Sequence, residues 1–132
     1  MIGRSVLLGG LALFLSSPVL AQDADRCITL GDSLLTVDRP QKAAEQYEAA
    51  IKLRPDAASY SARARAWFYM DRMDRFVMDA DKALQLDSLY PEANYQRALY
   101  AYRAEDHRTA DRMLTRALPK ATGKLRGQML IL

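Results

Sequence analysis

The chain has 132 residues, half of them hydrophobic and 27% charged, with a formal net charge of +3 and one cysteine. That is enough for one packed domain and too apolar for a disordered chain. A single cysteine excludes an internal disulfide, and the scarcity of β-branched residues and of two-residue alternation excludes a sheet, so the expected fold class is all-α.

The first segment, MIGRSVLLGGLALFLSSPVLAQ, begins basic at Arg4 and runs apolar from Val6 to Leu15. It breaks at Ser16-Ser17-Pro18 and closes on Val19-Leu20-Ala21, a small-x-small cleavage pattern. The apolar run is short of the roughly 20 residues a membrane span needs. Residues 1–21 therefore read as a secretory signal peptide, with Gln22 as the mature N-terminus; an uncleaved anchor and a buried helix are the alternatives. Cys27 lies behind Asp23, Asp25 and Arg26, away from a lipidation position. It reads as a small buried thiol or, in an oxidising compartment, as a bridge to a partner.

Six helices follow, expected at 23–36, 40–54, 57–70, 74–87, 91–104 and 107–118. Pro40 sits where a helix can begin and Pro55 where one must stop. Between them Ala43, Tyr47 and Ala50 share one helical face in a small, large, small order, so something bulky must approach that face closely. The tight turns VDRP, MDRMD and AEDH separate the helices within a pair, each with Asp or Glu near the next helix N-terminus. Asp79, Asp81, Glu105 and Asp106 read as caps and solvated faces. The last stretch, LPKATGKLRGQMLIL, has room for one more short helix despite Gly123 and Gly127. Its apolar tail is expected to fold back on helix 107–118, or else to stay exposed for a partner.

Self-comparison shows a repeat. Gly31, Ala43, Tyr47 and Ala50 shifted by 33 residues become Ala64, Phe76, Ala80 and Ala83, and shifted by a further 34 become Ala98, Ala110, Leu114 and Ala117. In the middle copy large and small are exchanged between Phe76 and Ala80, which roughly conserves volume. With Leu30, Leu34, Pro55, Tyr60 and Trp67, these residues resemble the tetratricopeptide repeat, a helix-turn-helix unit. The resemblance implies three repeats at 24–56, 57–90 and 91–121, stacked as a right-handed superhelical solenoid, with residues 122–132 as a short capping segment.

In that family the first helices of the pairs line a concave groove that holds a partner peptide or helix. The matching face carries Asp25, Ile28, Asp32 and Leu35 in copy one. In copy two it carries Ala58, Ser61, Arg65, Phe68 and Tyr69, and in copy three Glu92, Tyr95, Leu99, Tyr102 and Arg103. Phe68, Tyr69, Tyr95 and Tyr102 are expected to form one continuous lining. Family members that clamp a chaperone's terminal carboxylate use cations and asparagines at positions held here by Ile28, Asp32, Ala62, Glu92 and Gln96. None of these is a cation, so that partner is excluded.

Nothing points to catalysis, a cofactor or a metal. His107 is the one histidine and falls at a turn, and no nucleophile motif, phosphate-binding loop or ligand cluster appears. Charge rises along the chain, from −2 over residues 22–56 to +4 over residues 91–132. Arg108, Arg112 and Arg116 form a basic stripe, read as a solvated face with anionic lipid as the alternative contact. Nucleic acid is not expected for an exported protein. The sequence thus reads as a secreted, bacterial periplasmic adaptor that binds other proteins. The competing reading is a structural subunit of an envelope assembly that associates through the ends of its solenoid.

Overall fold

The computed structural model describes residues 18–132, and folds them into helices α1 (Pro18–Thr36), α2 (Pro40–Leu53), α3 (Ala57–Tyr69), α4 (Met73–Leu86), α5 (Pro91–Arg103), α6 (His107–Ala117) and α7 (Gly123–Leu130). The apolar run assigned to the signal peptide lies outside the described residues, and Pro18–Ala21 form the first turn of α1. Helix α1 thus begins five residues before the expected position 23, while α2 to α6 fall within a residue of expectation. The helices pack as antiparallel neighbours α1/α2, α3/α4 and α5/α6, and each pair stacks on the next, which makes a helical-repeat solenoid.

The pairs close on small residues. Ala43, Ala50, Ala64, Ala80, Ala83, Ala98 and Ala117 are all fully buried, and so is the large Tyr47 between two of them. Alanines at the crossings let the backbones approach, and one large side chain per pair, Tyr47, Phe76 or Leu114, fills the remaining gap. In the middle pair that side chain is Phe76, 2% exposed, with Ala80 a turn later. The exchange of large and small read from the sequence is therefore a true repacking of the same interface.

Three identical turns join the helices of each pair. Asp38, Asp71 and Glu105, spaced at the repeat period, all have left-handed backbones with φ of 56°, 55° and 59°. Each lies between the same two bonds. Asp38 N–H donates to the Leu35 carbonyl and Arg39 N–H to Leu34, at 3.1 and 2.9 Å, and the other two turns repeat the pattern. This is the double bond of a Schellman ending, which satisfies carbonyls the helix leaves open. Asp tolerates the conformation, and Glu105 adopts it at a cost. Asp38, Asp71 and Glu105 therefore act as helix terminators, while the expected acidic residue at the next helix N-terminus is Asp74 in the first turn of α4 and Asp106, which caps α6 by accepting from Thr109 N–H at 3.1 Å.

Asp79 corrects a second expectation. It is 6% exposed and not a solvated side chain. Arg63 donates to both of its oxygens at 2.8 Å, and Trp67 Nε1–H donates to one of them at 2.7 Å. A buried carboxylate survives because both its oxygens accept charge-assisted or indole hydrogen bonds across the α3/α4 interface. The Asp79 contact also raises the pKa of Arg63, chiefly through their hydrogen bond. Cys27 is half-buried with a free thiol, between the two readings of the sequence.

Helix α7 covers the end of the last pair. Met129 is buried with Ala117 and Ala121, flanked by Tyr95, Leu114, Leu118 and Leu125. Leu132 reaches the Ala98, Ala101 and Ala110 cluster. The tail therefore folds back as expected through these two residues, while Leu130 and Ile131 stay 65% and 86% exposed.

Glycine separates propensity from packing. A Cβ added at Gly31 would run into the Tyr47 ring, whereas one added at Gly127 would meet nothing. In an open helix position Gly→Ala gains about 1 kcal/mol. Overpacking against a fully buried ring costs roughly 1–3 kcal/mol. Gly31→Ala is expected to lower the unfolding free energy and Gly127→Ala to raise it by up to about 1 kcal/mol. Urea denaturation of both variants checks the opposite signs.

Candidate binding groove

Arg65 organises the concave face. It leaves the middle of α3 at the repeat-equivalent position of Asp32, and its Nη2 meets Asp32 Oδ1 on α1 at 2.6 Å. Its Nη1 meets Glu92 Oε1 on α5 at 2.6 Å. The guanidinium lies 5.5 Å from the centroid of the Tyr47 ring, and the Tyr47 hydroxyl donates to Asp32 at 2.5 Å. One cation thus ties the first helices of all three pairs to each other and to α2. Burial alone would lower the pKa of Arg65, but the charges of Glu92 and Asp32 outweigh it and hold the group well above its ordinary value.

Beside this clamp lies a cavity of about 320 Å³. Phe68, Tyr69, Tyr95 and Leu99 line it together with Arg65 and Phe76. Glu92 and Gln96 complete the α5 side, and Lys124, Leu125 and Gln128 of α7 form the opposite wall. Phe68 stands at the centre of an aromatic group, 5.5 Å from Phe76 and 6.4 Å from Tyr69 between ring centroids. The Arg103 guanidinium covers the Phe68 ring at 5.1 Å. Tyr69 is the open member, 63% exposed.

Of the residues expected on the groove, Arg65, Phe68, Tyr69, Tyr95 and Leu99 line the cavity and Arg103 flanks it. Asp32 belongs to the clamp. Asp25 is spent on an ion pair with Arg54 at 2.7 Å, near the other end of α1. Ile28 and Leu35 pack against the Ala43, Tyr47 and Ala62 cluster, so their apolar surface serves the first repeat interface. Ser61 is fully buried, because α5 packs directly over it: Gln96 Nε2–H donates to the Ser61 carbonyl at 2.9 Å. Tyr102 lies outside the cavity. It turns toward α6, where its ring meets His107 edge-on at 5.1 Å between centroids. The expected four-aromatic lining is thus Phe68, Tyr69 and Tyr95, with Phe76 in place of Tyr102.

The α7 wall was missed by the sequence reading, although the repeat period points to it. One further 33-residue step from Glu92 and Tyr95 lands on Leu125 and Gln128, so α7 stands where a fourth first helix would. Phe76 carried no such signal, since it belongs to a second helix and reads as core. Among the described residues no group of His, Cys, Asp and Glu is arranged to hold a metal ion.

Paired helices, Schellman turns at a fixed period and first helices that contact one another from pair to pair define a tetratricopeptide-like helical-repeat solenoid. Among solved structures the chain is similar to a crystal structure of MamA, with a TM-score of 0.62 and 19% identity over 86% of this chain and 77% of that one. At that identity the likeness is one of fold. No family model matches the sequence, and no curated protein does.

The clamp makes a prediction at alkaline pH. Burial and the bond to Asp32 raise the pKa of Tyr47 well above the ordinary value of 10.0, and burial raises Tyr90 and Tyr95 as well. The folded state then holds its protons more tightly than the unfolded chain, whose tyrosines ionise near ~10. Stability is therefore fully present below about pH 10 and falls as pH rises beyond it. Thermal midpoints measured between pH 8 and 11 should drop above about 10, with a shallower fall for Tyr47→Phe. Equal slopes would mean that Tyr47 does not retain its proton in the fold.

Proposed function

We propose that the protein is an exported adaptor that takes a peptide or helix of another protein into the groove between α3, α5 and α7. The observation that carries this reading is the aromatic cavity beside an already satisfied ionic clamp. Arg65 is engaged by both Asp32 and Glu92, which leaves Phe68, Tyr69, Tyr95 and Leu99 as the apolar surface on offer. A part-open cavity with aromatic and aliphatic lining suits side-chain burial, and aromatic anchors dominate such interfaces. The site offers a ligand shape and aromatic contact area.

Peptides selected from a random display library on the full chain provide the probe. Tyr69→Ala should weaken the selected peptides by about 1–2 kcal/mol and leave the thermal midpoint unchanged, since the ring is mostly exposed. Tyr102→Ala should leave binding unchanged. Equal losses in both variants, or no enrichment of any peptide, would count against the groove.

Export rests on the N-terminal pattern of Arg4, the Val6–Leu15 run and Val19-Leu20-Ala21. Among the described residues no helix is long and apolar enough to cross a membrane. Protein purified from a bacterial envelope should begin at Gln22 by N-terminal sequencing. An intact Met1 on membrane-bound protein would establish the anchor instead, and with it a membrane contact to which the exposed Arg108, Arg112 and Arg116 would contribute.

A second reading keeps one specific support. Leu130 and Ile131 project from the C-terminal end of the solenoid. Head-to-tail association through that end would make the chain a structural subunit, and a solenoid's unlike ends allow open arrays.

A further inference from the structure

We infer that the cavity is an anchor site for a bulky apolar side chain followed or preceded closely by an aspartate or glutamate of a partner protein. This deepens the groove reading and rests on it. The cavity volume of about 320 Å³ lies at the small end of ligand sites, enough for one or two large side chains. Its lining supplies the apolar half of the match through Phe68, Phe76 and Leu125.

The charged half comes from which ions around it are already engaged. Arg65 has two carboxylates, and Glu92 is held by Arg65, so neither is left for a ligand. Lys124 lines the cavity, is exposed, and has no carboxylate partner among the described residues. Arg103 covers Phe68 and donates to the Met73 sulfur at 3.4 Å, and among the described residues no carboxylate pairs with it. Two unmatched cations thus border the apolar lining, within the stretch of chain that carries net +4. A partner with a carboxylate there meets a cation that the fold leaves unpaired, and a cationic partner is repelled.

Helix stability does not account for Lys124. It is the second residue of α7, where the helix dipole disfavours a cation. A glutamate at that position would suit the helix better. Lys124→Glu is therefore a clean test, because the variant should fold at least as well as the parent.

The experiment uses the full chain and random twelve-residue display peptides. Wild type should enrich peptides with Phe, Leu or Trp within two residues of Asp or Glu. Lys124→Glu should weaken a selected acidic peptide by about tenfold, with a higher or equal thermal midpoint, and reselection on it should favour Lys or Arg beside the anchor. Arg103→Gln should give a loss in the same direction. Enriched peptides that lose affinity in Tyr69→Ala but show no acidic preference, or no response to Lys124→Glu, would overturn this inference and leave the groove reading standing. No enrichment at all would overturn both. Self-association of the wild type in sedimentation, abolished by Lys124→Glu, would assign the cavity to a second copy of this chain and overturn the inference as well.

Discussion

Two helices can pack no closer than the side chains between them allow, and in each pair of this molecule that limit is set at three or four positions. Gly31 lies against the Tyr47 ring, with no room even for a methyl group. Ala43 and Ala50 stand one turn to either side of Tyr47 and are fully buried. The ring is thus enclosed by backbone and can occupy one position. That position places its hydroxyl on Asp32, and Asp32 in turn receives Arg65 from the next repeat. Packing inside the first pair therefore fixes the ionic contact between the first and second pairs. The same guanidinium reaches Glu92 and extends the order to the third.

This chain of dependence explains why the fold was so legible. Helix crossings need small residues at a fixed interval, and the period of 33 to 34 residues is plain in Gly31, Ala64 and Ala98 and in Ala50, Ala83 and Ala117. Pro40 and Pro91 mark helix starts because they occupy first turns. What the pattern could not show was the role of an acidic residue in a turn. Asp38, Asp71 and Glu105 look like caps for the following helix, yet each is the left-handed residue that ends the preceding one. A carboxylate suits both tasks, and only backbone geometry separates them.

The groove was legible by face and illegible by depth. Periodicity places a residue on a side of a helix, and it placed Arg65, Phe68, Tyr69, Tyr95 and Leu99 on the side that lines the cavity. It does not say how far a neighbouring helix leans over that side. Ser61 shares the face of Arg65 but lies beneath Gln96. Ile28 and Leu35 share the face of Asp32 but are drawn into the first interface. Asp79 is the same failure on the outer side: its buried ion pair depends on Arg63 and Trp67, 16 and 12 residues away, and no local spacing encodes it. Long side chains at a repeat boundary are decided by tertiary neighbours, while alanines at a crossing are decided by the crossing.

The cavity joins the firmest and the weakest parts of the molecule. Its α3 and α5 walls are fixed by the Arg65 clamp and by buried alanines, so a ligand meets side chains already in place and little ordering is required there. Its third wall is α7, eight residues long with Gly123 and Gly127 inside it, anchored mainly through Leu125, Met129 and the tail residue Leu132. Helices this short are not stable by propensity. Helix α7 therefore owes its order to the surface of the last pair, which includes Tyr95, a residue that also lines the cavity. A ligand that fills the cavity adds contacts to Leu125, Gln128 and Lys124, and so binds the ordered form of α7 in preference to a detached one. By linkage, occupancy of the proposed groove and order of α7 would stabilise each other.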